Sequence, residues 1–294
     1  MTEAPMSEAA VPRPGIAVWL MAARPRTLSA AIAPVMVGTA VAYRAGGARP
    51  LAAVLALFAS LFIQIGTNFA NDYSDFKRGA DANRVGPTRV TQSGLVAPRT
   101  VKLAAWIAFG LSAVFGVILS TMSGWPILVI GAASIASGWL YTGGPWPLGY
   151  HGLGDIFVFA FFGLVATCGT VYAETLQLPA DAWLAGAAVG SLSTAILVVN
   201  NLRDRETDAR VGKNTLAVKL GAGGSRAEYV LLLLLPFAIA IAMGTLVPLL
   251  ALIAIVPALR TVLTEEGAGL NRALGQTARV QILYSILLAA GLWL

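Results

Sequence analysis

The chain has 294 residues, of which 57% are hydrophobic and only 12% charged, with a formal net charge of +6 and a mean hydropathy of +0.75. Soluble domains carry about a quarter charged residues, so a soluble globular protein is excluded and the sequence reads as an integral membrane protein. A single cysteine, Cys168, and a single histidine, His151, exclude an internal disulfide and any Cys- or His-rich metal centre.

In chain order, MTEAPMSEAAVPRPG (1–15) is polar and proline-bearing and is expected to be a disordered tail; residues 16–294 are expected to form a single transmembrane domain. A spanning helix needs about 20 apolar residues. The stretches that qualify are 24–43, 51–72, 101–121, 125–141, 153–176, 182–202, 227–244, 246–263 and 277–294. The first is not a cleavable signal peptide, since no small-residue cleavage site followed by a soluble domain succeeds it. The expected fold is therefore all-α, with nine transmembrane helices.

Charge sets the orientation. With the N-terminus cytoplasmic, every Lys and Arg except Arg44 and Arg49 falls on the cytoplasmic side, as the positive-inside rule requires. An odd number of spans then leaves the C-terminus outside. The basic balance thus reflects membrane topology rather than nucleic-acid binding, and the expected location is the plasma membrane.

Two helix ends on that cytoplasmic side are unusual. The second apolar run closes with NFANDYSDFKRGAD (68–81), and the sixth with VVNNLRDRETDARVGKNT (198–215). Asn68, Asn71, Asp72 and Asp75 stand at i, i+3, i+4 and i+7, which is one face of a continuing α-helix. Asn200, Asp204 and Asp208 stand at i, i+4 and i+8. Each segment therefore presents a stripe of oxygen ligands with no imidazole or thiolate. Hard oxygen donors suit Mg²⁺, which prefers one or two carboxylates plus phosphate oxygens to an all-protein cage. The basic residues beside the stripes agree with a diphosphate ligand: Lys77, Arg84, Arg89, Arg203 and Lys213 can offset its charge.

NDYSDFKRGAD and NLRDRETD resemble the two aspartate-rich motifs of the UbiA-like intramembrane aromatic prenyltransferases. Further stretches are similar to the branch acting on 1,4-dihydroxy-2-naphthoate in menaquinone synthesis: ARPRTLSAAIAPVMVG, RVGPTRVTQSG, YTGGPWPLGYHGLGDIFVFAFFG and RVGKNTLAVKLG. The resemblance implies nine helices around a central cavity, capped by the motifs on the cytosolic side. It also implies Mg²⁺, a polyprenyl diphosphate donor and an aromatic acceptor. Carried over by position, Asn68, Asp72 and Asp75 fall in the first motif, and Asp204 and Asp208 in the second. The chain departs from the pattern at Gly79, where many members have an aspartate; here Asp81 follows two residues later. It departs again at Pro145, which replaces the lysine of a Tyr-x-x-x-Lys element beginning at Tyr141; Lys213 is a candidate substitute.

The implied reaction is prenylation of 1,4-dihydroxy-2-naphthoate with loss of CO₂. Asp155, one helical turn from His151 if that stretch is helical, is a candidate to orient or deprotonate the acceptor hydroxyl. Arg24, Tyr141 and His151 are candidate acceptor contacts. Two other readings stay open: a related enzyme with another acceptor (4-hydroxybenzoate, a haem or a chlorophyll precursor), and a secondary transporter, whose polar sites lie near the bilayer midplane.

Overall fold

The computed structural model describes residues 15–80 and 86–294. The expected disordered tail thus lies almost wholly outside the described residues, as do Asp81 and Arg84. The helices, in order, are α1 (Ile16–Ala23), α2 (Ser29–Arg44), α3 (Pro50–Lys77), α4 (Pro98–Ser123), α5 (Pro126–Leu140), α6 (Gly154–Phe159), α7 (Ala166–Thr175), α8 (Ala180–Arg210), α9 (Leu216–Ala242), α10 (Leu252–Thr264) and α11 (Asn271–Trp293). There is no strand among the described residues.

Six helical spans, Gly154–Thr175 among them, are long and apolar enough to cross a bilayer, and the bent pair α1–α2 makes seven. Helix α5 is apolar but short, and α11 begins with the polar run NRALGQTARVQ, so neither adds to that number. The outward faces are greasy: Leu103, Ile107, Val114 and Ile253 are all more than half exposed. A surface of that kind is stable only against lipid. The chain is a multi-pass membrane protein.

The first span departs from the expected straight run at 24–43. Arg24 adopts a left-handed conformation (φ 53°) and precedes Pro25. A residue before proline is disfavoured in the α region, and proline offers no N–H. The chain therefore turns by 53° between Ile16–Thr27 and Ser29–Arg44. Gly221 (φ 70°) likewise kinks α9 near its start.

Helix α3 packs along α4, and α8 along α9, so each motif-bearing helix is braced by the helix that follows it. Helix α8 is the most enclosed of the candidate spans, and its buried face is small: Ala182, Ala185, Gly186, Ala188, Val189 and Gly190. Opposite it, the span from Gly154 to Thr175 loosens into a π turn at Ala160–Val165. A Cβ at Gly163 in that turn would strike Gly190 Cα and the Gly186 carbonyl oxygen. Small residues let helices approach this closely in membranes, where packing rather than hydrophobicity drives association.

At the end of the bundle remote from the motifs, Glu174 is fully buried. It accepts hydrogen bonds from Thr39 Oγ1 (2.7 Å) and from the Arg49 backbone N–H (3.1 Å) at the start of α3. The positive end of the α3 dipole and these two donors offset the carboxylate.

Overpacking a tight crossing destabilises by about 1–3 kcal/mol. Gly190→Leu is expected to lower the thermal midpoint in detergent by several degrees, whereas Gly110→Leu, where a Cβ meets open space, leaves it within error.

Candidate active site

Both acidic helix ends stay helical, α3 to Lys77 and α8 to Arg210, so the expected stripes form. On α3, Asn68, Asp72 and Asp75 are 1–3% exposed. Asn68 donates through Nδ2 to the Ala23 carbonyl (2.8 Å) and Thr27 Oγ1 (3.0 Å), and Gln64 donates to the same hydroxyl (3.0 Å). These bonds fasten the α1–α2 bend to α3 and leave the Asn68 carbonyl oxygen for other partners. Asn71 accepts from Thr142 Oγ1 (2.7 Å).

Asp72 accepts from the backbone N–H groups of Val90 (3.1 Å) and Thr91 (3.2 Å), and so holds the loop after α3 in place. Asp75 accepts from the Tyr150 hydroxyl on Oδ1 (2.9 Å) and from Arg89 Nη2 on Oδ2 (3.1 Å). Burial, reinforced by the Asp75 carboxylate beside it, raises the Tyr150 hydroxyl well above its ordinary range, so it stays protonated and donates.

On α8, Arg203 forks onto the neighbouring Asp204 with Nε (2.8 Å) and Nη2 (2.6 Å), and reaches Asn200 Oδ1 (2.8 Å). A third contact, from Nη1 to Asn271 Oδ1 (3.1 Å), ties α8 to the start of α11. Asp208 lies 3.4 Å from Lys213 Nζ, while its Oδ2 is buried without a hydrogen-bond partner. Asp75 and Asp204 lie within electrostatic reach of Asp208, so the two stripes face a common region. Among the described residues, no three acidic, His or Cys side chains converge closely enough to enclose a metal unaided. An all-oxygen donor set with one unpartnered buried carboxylate oxygen fits Mg²⁺ held jointly with phosphate, the arrangement that ion favours.

The remaining candidates sort clearly. Arg89 and Arg203 are buried beside the carboxylates, and Lys213 is nearly so. Lys77 is exposed at the end of α3 and Arg24 is half-buried at the α1–α2 bend. Tyr141 lies in the field of Asp155, Asp75 and Asp208, and Asp155 is buried with Oδ2 unpartnered. His151 is directed elsewhere: its Nδ1 meets the Pro147 carbonyl (2.9 Å) and its ring stacks on Trp146 at 4.2 Å. The expected helical pairing of His151 with Asp155 does not form. A 3₁₀ turn ends at His151 and Gly152 (φ 79°) reverses the backbone before α6 begins.

Sequence reading missed three residues. Tyr150 bonds Asp75, Thr142 bonds Asn71, and Glu228 of α9 lies within electrostatic reach of Asp155. Only Tyr150 and Thr142 carried a signal, as polar neighbours of Tyr141 and His151 in YTGGPWPLGYHG.

From Tyr141 an apolar cavity of about 300 Å³ runs into the bundle among α3, α4, α5 and the Gly154–Thr175 span; Ile63, Ser134, Gly138, Phe157 and Phe161 are among its lining residues. Tyr141 thus lines the apolar chamber and lies in the field of the carboxylates.

Comparison with known proteins agrees with this arrangement. Residues 31–265 match the UbiA prenyltransferase family. The chain is 47% identical over 213 residues to a 1,4-dihydroxy-2-naphthoate octaprenyltransferase of Mycobacterium tuberculosis, covering 72% of this chain and 73% of the relative. It is 36% identical to the protein of that name from Haemophilus influenzae, covering 94% and 95% of the two chains. Among solved structures, a UbiA homolog from Archaeoglobus fulgidus bound to GPP and Mg²⁺ superposes with a TM-score of 0.65 at 16% identity, covering 94% of this chain and 100% of that one. The apo UbiA homolog from Aeropyrum pernix K1 gives 0.69, also at 16%, over 89% and 96%. With its paired acidic helix ends over an apolar chamber and a match across most of its length, the chain belongs to the UbiA prenyltransferase family.

Proposed function

We propose that this chain transfers a polyprenyl group from a polyprenyl diphosphate to 1,4-dihydroxy-2-naphthoate with loss of CO₂; its bacterial relatives are named 1,4-dihydroxy-2-naphthoate octaprenyltransferases. The observation that carries this reading is that Tyr141, which lines the apolar cavity, lies in the field of Asp75 and Asp208 from two separate helices. The reading takes nine crossings: α1–α2, α3, α4, α5, the Gly154–Thr175 span, α8, α9, α10 and α11. The N-terminus is then cytoplasmic, the C-terminus outside, and the site at the inner face of the plasma membrane.

The residues that would hold Mg²⁺ are Asp75, Asp204 and Asp208, with the amide oxygens of Asn68, Asn71 and Asn200 beside them; Asp72 acts chiefly by fixing the 86–96 loop. When bound, the metal supplies charge neutralisation at the diphosphate as the allylic C–O bond breaks. Arg89, Arg203 and Lys213 then stabilise the departing pyrophosphate, aided by Lys77 and Arg84. The isoprenoid tail lies in the apolar cavity, which keeps water from the allylic cation. The naphthoate ring forms the new C–C bond, and its carboxylate leaves as CO₂, the bonding pair returning to the ring. Asp155 accepts a hydrogen bond or proton from an acceptor hydroxyl, with Tyr141 alongside; Arg24 faces the acceptor carboxylate, and His151 contributes through the turn it stabilises rather than by direct contact.

The defining experiment incubates the purified protein with farnesyl or longer diphosphates, Mg²⁺ and a panel of phenolic acceptors. Mass spectrometry is expected to show a prenylated, decarboxylated naphthoquinol and no product after chelation; sole use of 4-hydroxybenzoate overturns the acceptor assignment. Asp75→Ala and Asp208→Ala should each lower kcat/KM by at least about 100-fold in protein that still inserts and folds. Near-normal turnover in either would refute the metal assignment. Asp155→Asn is expected to reduce kcat by about 100-fold while the KM for the diphosphate stays put. Gly131 lines the cavity, with open space where a Cβ would go. Gly131→Phe should therefore impair long-chain donors at least about tenfold more than geranyl diphosphate, since each CH₂ displaced from the cavity weakens binding.

A further inference from the structure

Tyr150 belongs to neither acidic motif, yet it contacts the first and the loop that follows the second. It is 8% exposed and lies on the 3₁₀ turn Leu148–His151. Its hydroxyl donates to Asp75 Oδ1 at 2.9 Å. Its carbonyl accepts from the Asn214 N–H at 3.0 Å, in the loop that follows the second motif. Its ring carries two cations: the Arg78 guanidinium 5.3 Å from the centroid and Lys213 Nζ 5.5 Å from it. Lys213 in turn stands 3.4 Å from Asp208 Oδ1.

Each contact has a distinct physical consequence. A carboxylate bonded only to Arg89 could still turn about its last torsion. Donors on both oxygens fix its plane, and each oxygen keeps a further lone pair for another partner. The aromatic face does something a carboxylate cannot do for Lys213. It attracts the ammonium through the ring quadrupole, and so orients Lys213 without adding a second carboxylate to the Asp208 already beside it. The backbone bond to Asn214 then ties the two motif loops to one rigid turn.

We propose that Tyr150 is a positioning residue that sets the Asp75 carboxylate and the Lys213 ammonium in register, so that the two motifs grip one Mg²⁺–diphosphate group together. The proposal rests on the magnesium–diphosphate reading of the site given above.

The test measures binding as well as turnover. A non-reactive farnesyl thiodiphosphate is titrated against the purified full chain in detergent at a series of Mg²⁺ concentrations, beside thermal melts. Tyr150→Phe keeps the ring and the backbone bond but removes the donor to Asp75. The Mg²⁺ concentration for half-maximal binding is expected to rise about tenfold, the scale of a lost charge-assisted hydrogen bond, with the melting temperature unchanged. Tyr150→Trp, which also keeps an aromatic face and lacks the phenol, is measured in the same way, so that a folding failure of one variant does not leave the question open. A lower melting temperature with a Mg²⁺ dependence within twofold of wild type assigns Tyr150 a purely structural role and overturns the proposal. If the wild-type chain itself shows no Mg²⁺-dependent binding, the underlying metal–diphosphate reading falls with it. If wild type binds and the variants match it, only the assignment of Tyr150 falls.

Discussion

The structure turns on the burial of aspartates at the ends of two apolar helices. Asp72, Asp75, Asp204 and Asp208 are each no more than 4% exposed, and a buried carboxylate is tolerated only when it is paired or hydrogen-bonded. The chain meets that demand in three ways. Asp72 takes two backbone N–H groups, Asp75 and Asp204 take buried arginines, and Asp208 takes a lysine on one oxygen. Because the partners come from the loop after α3, from α8 itself and from the loop after α8, satisfying the charges also closes this end of the bundle. Loop placement, helix termination and the electrostatics of the site are thus one interaction seen from different sides.

The bundle beneath is organised to keep that rim dry on its inner side. Helix α8, lined by alanine and glycine, lets the π turn at Ala160–Val165 come close enough for backbone contact. That closeness, together with the bulk of Phe157 and Phe161, leaves the apolar cavity on the opposite side, among α3, α4 and α5. A polar rim above a water-poor chamber suits a long apolar donor with a charged head, because each half of such a molecule meets its own kind of environment. The low dielectric of the chamber also strengthens the charges at its mouth.

Much of this was legible in the chain. The composition gave away the membrane, and the spacing of Asn68, Asp72 and Asp75 forecast a shared helical face because helical geometry repeats every 3.6 residues. Proline and glycine were the weak points. The bend at Arg24–Pro25 broke a span that hydropathy alone draws straight, and Gly152 separated His151 from Asp155 although their spacing suits a helix. Hydropathy averages over windows and cannot register a single dihedral angle.

The sequence by itself determined which groups had to be exceptional: charged residues next to apolar helices need partners, and the two acidic segments repeat oxygen-bearing side chains in a helical rhythm. Only the tertiary structure decided which partners those are. Arg89 rather than Lys77 reaches Asp75, and Tyr150, unremarked in the linear pattern, joins the first stripe to the loop of the second. Helical periodicity is local and therefore readable residue by residue. The meeting of Asp75 with a hydroxyl 75 positions away depends on how separate helices pack, and no short-range rule encodes that distance.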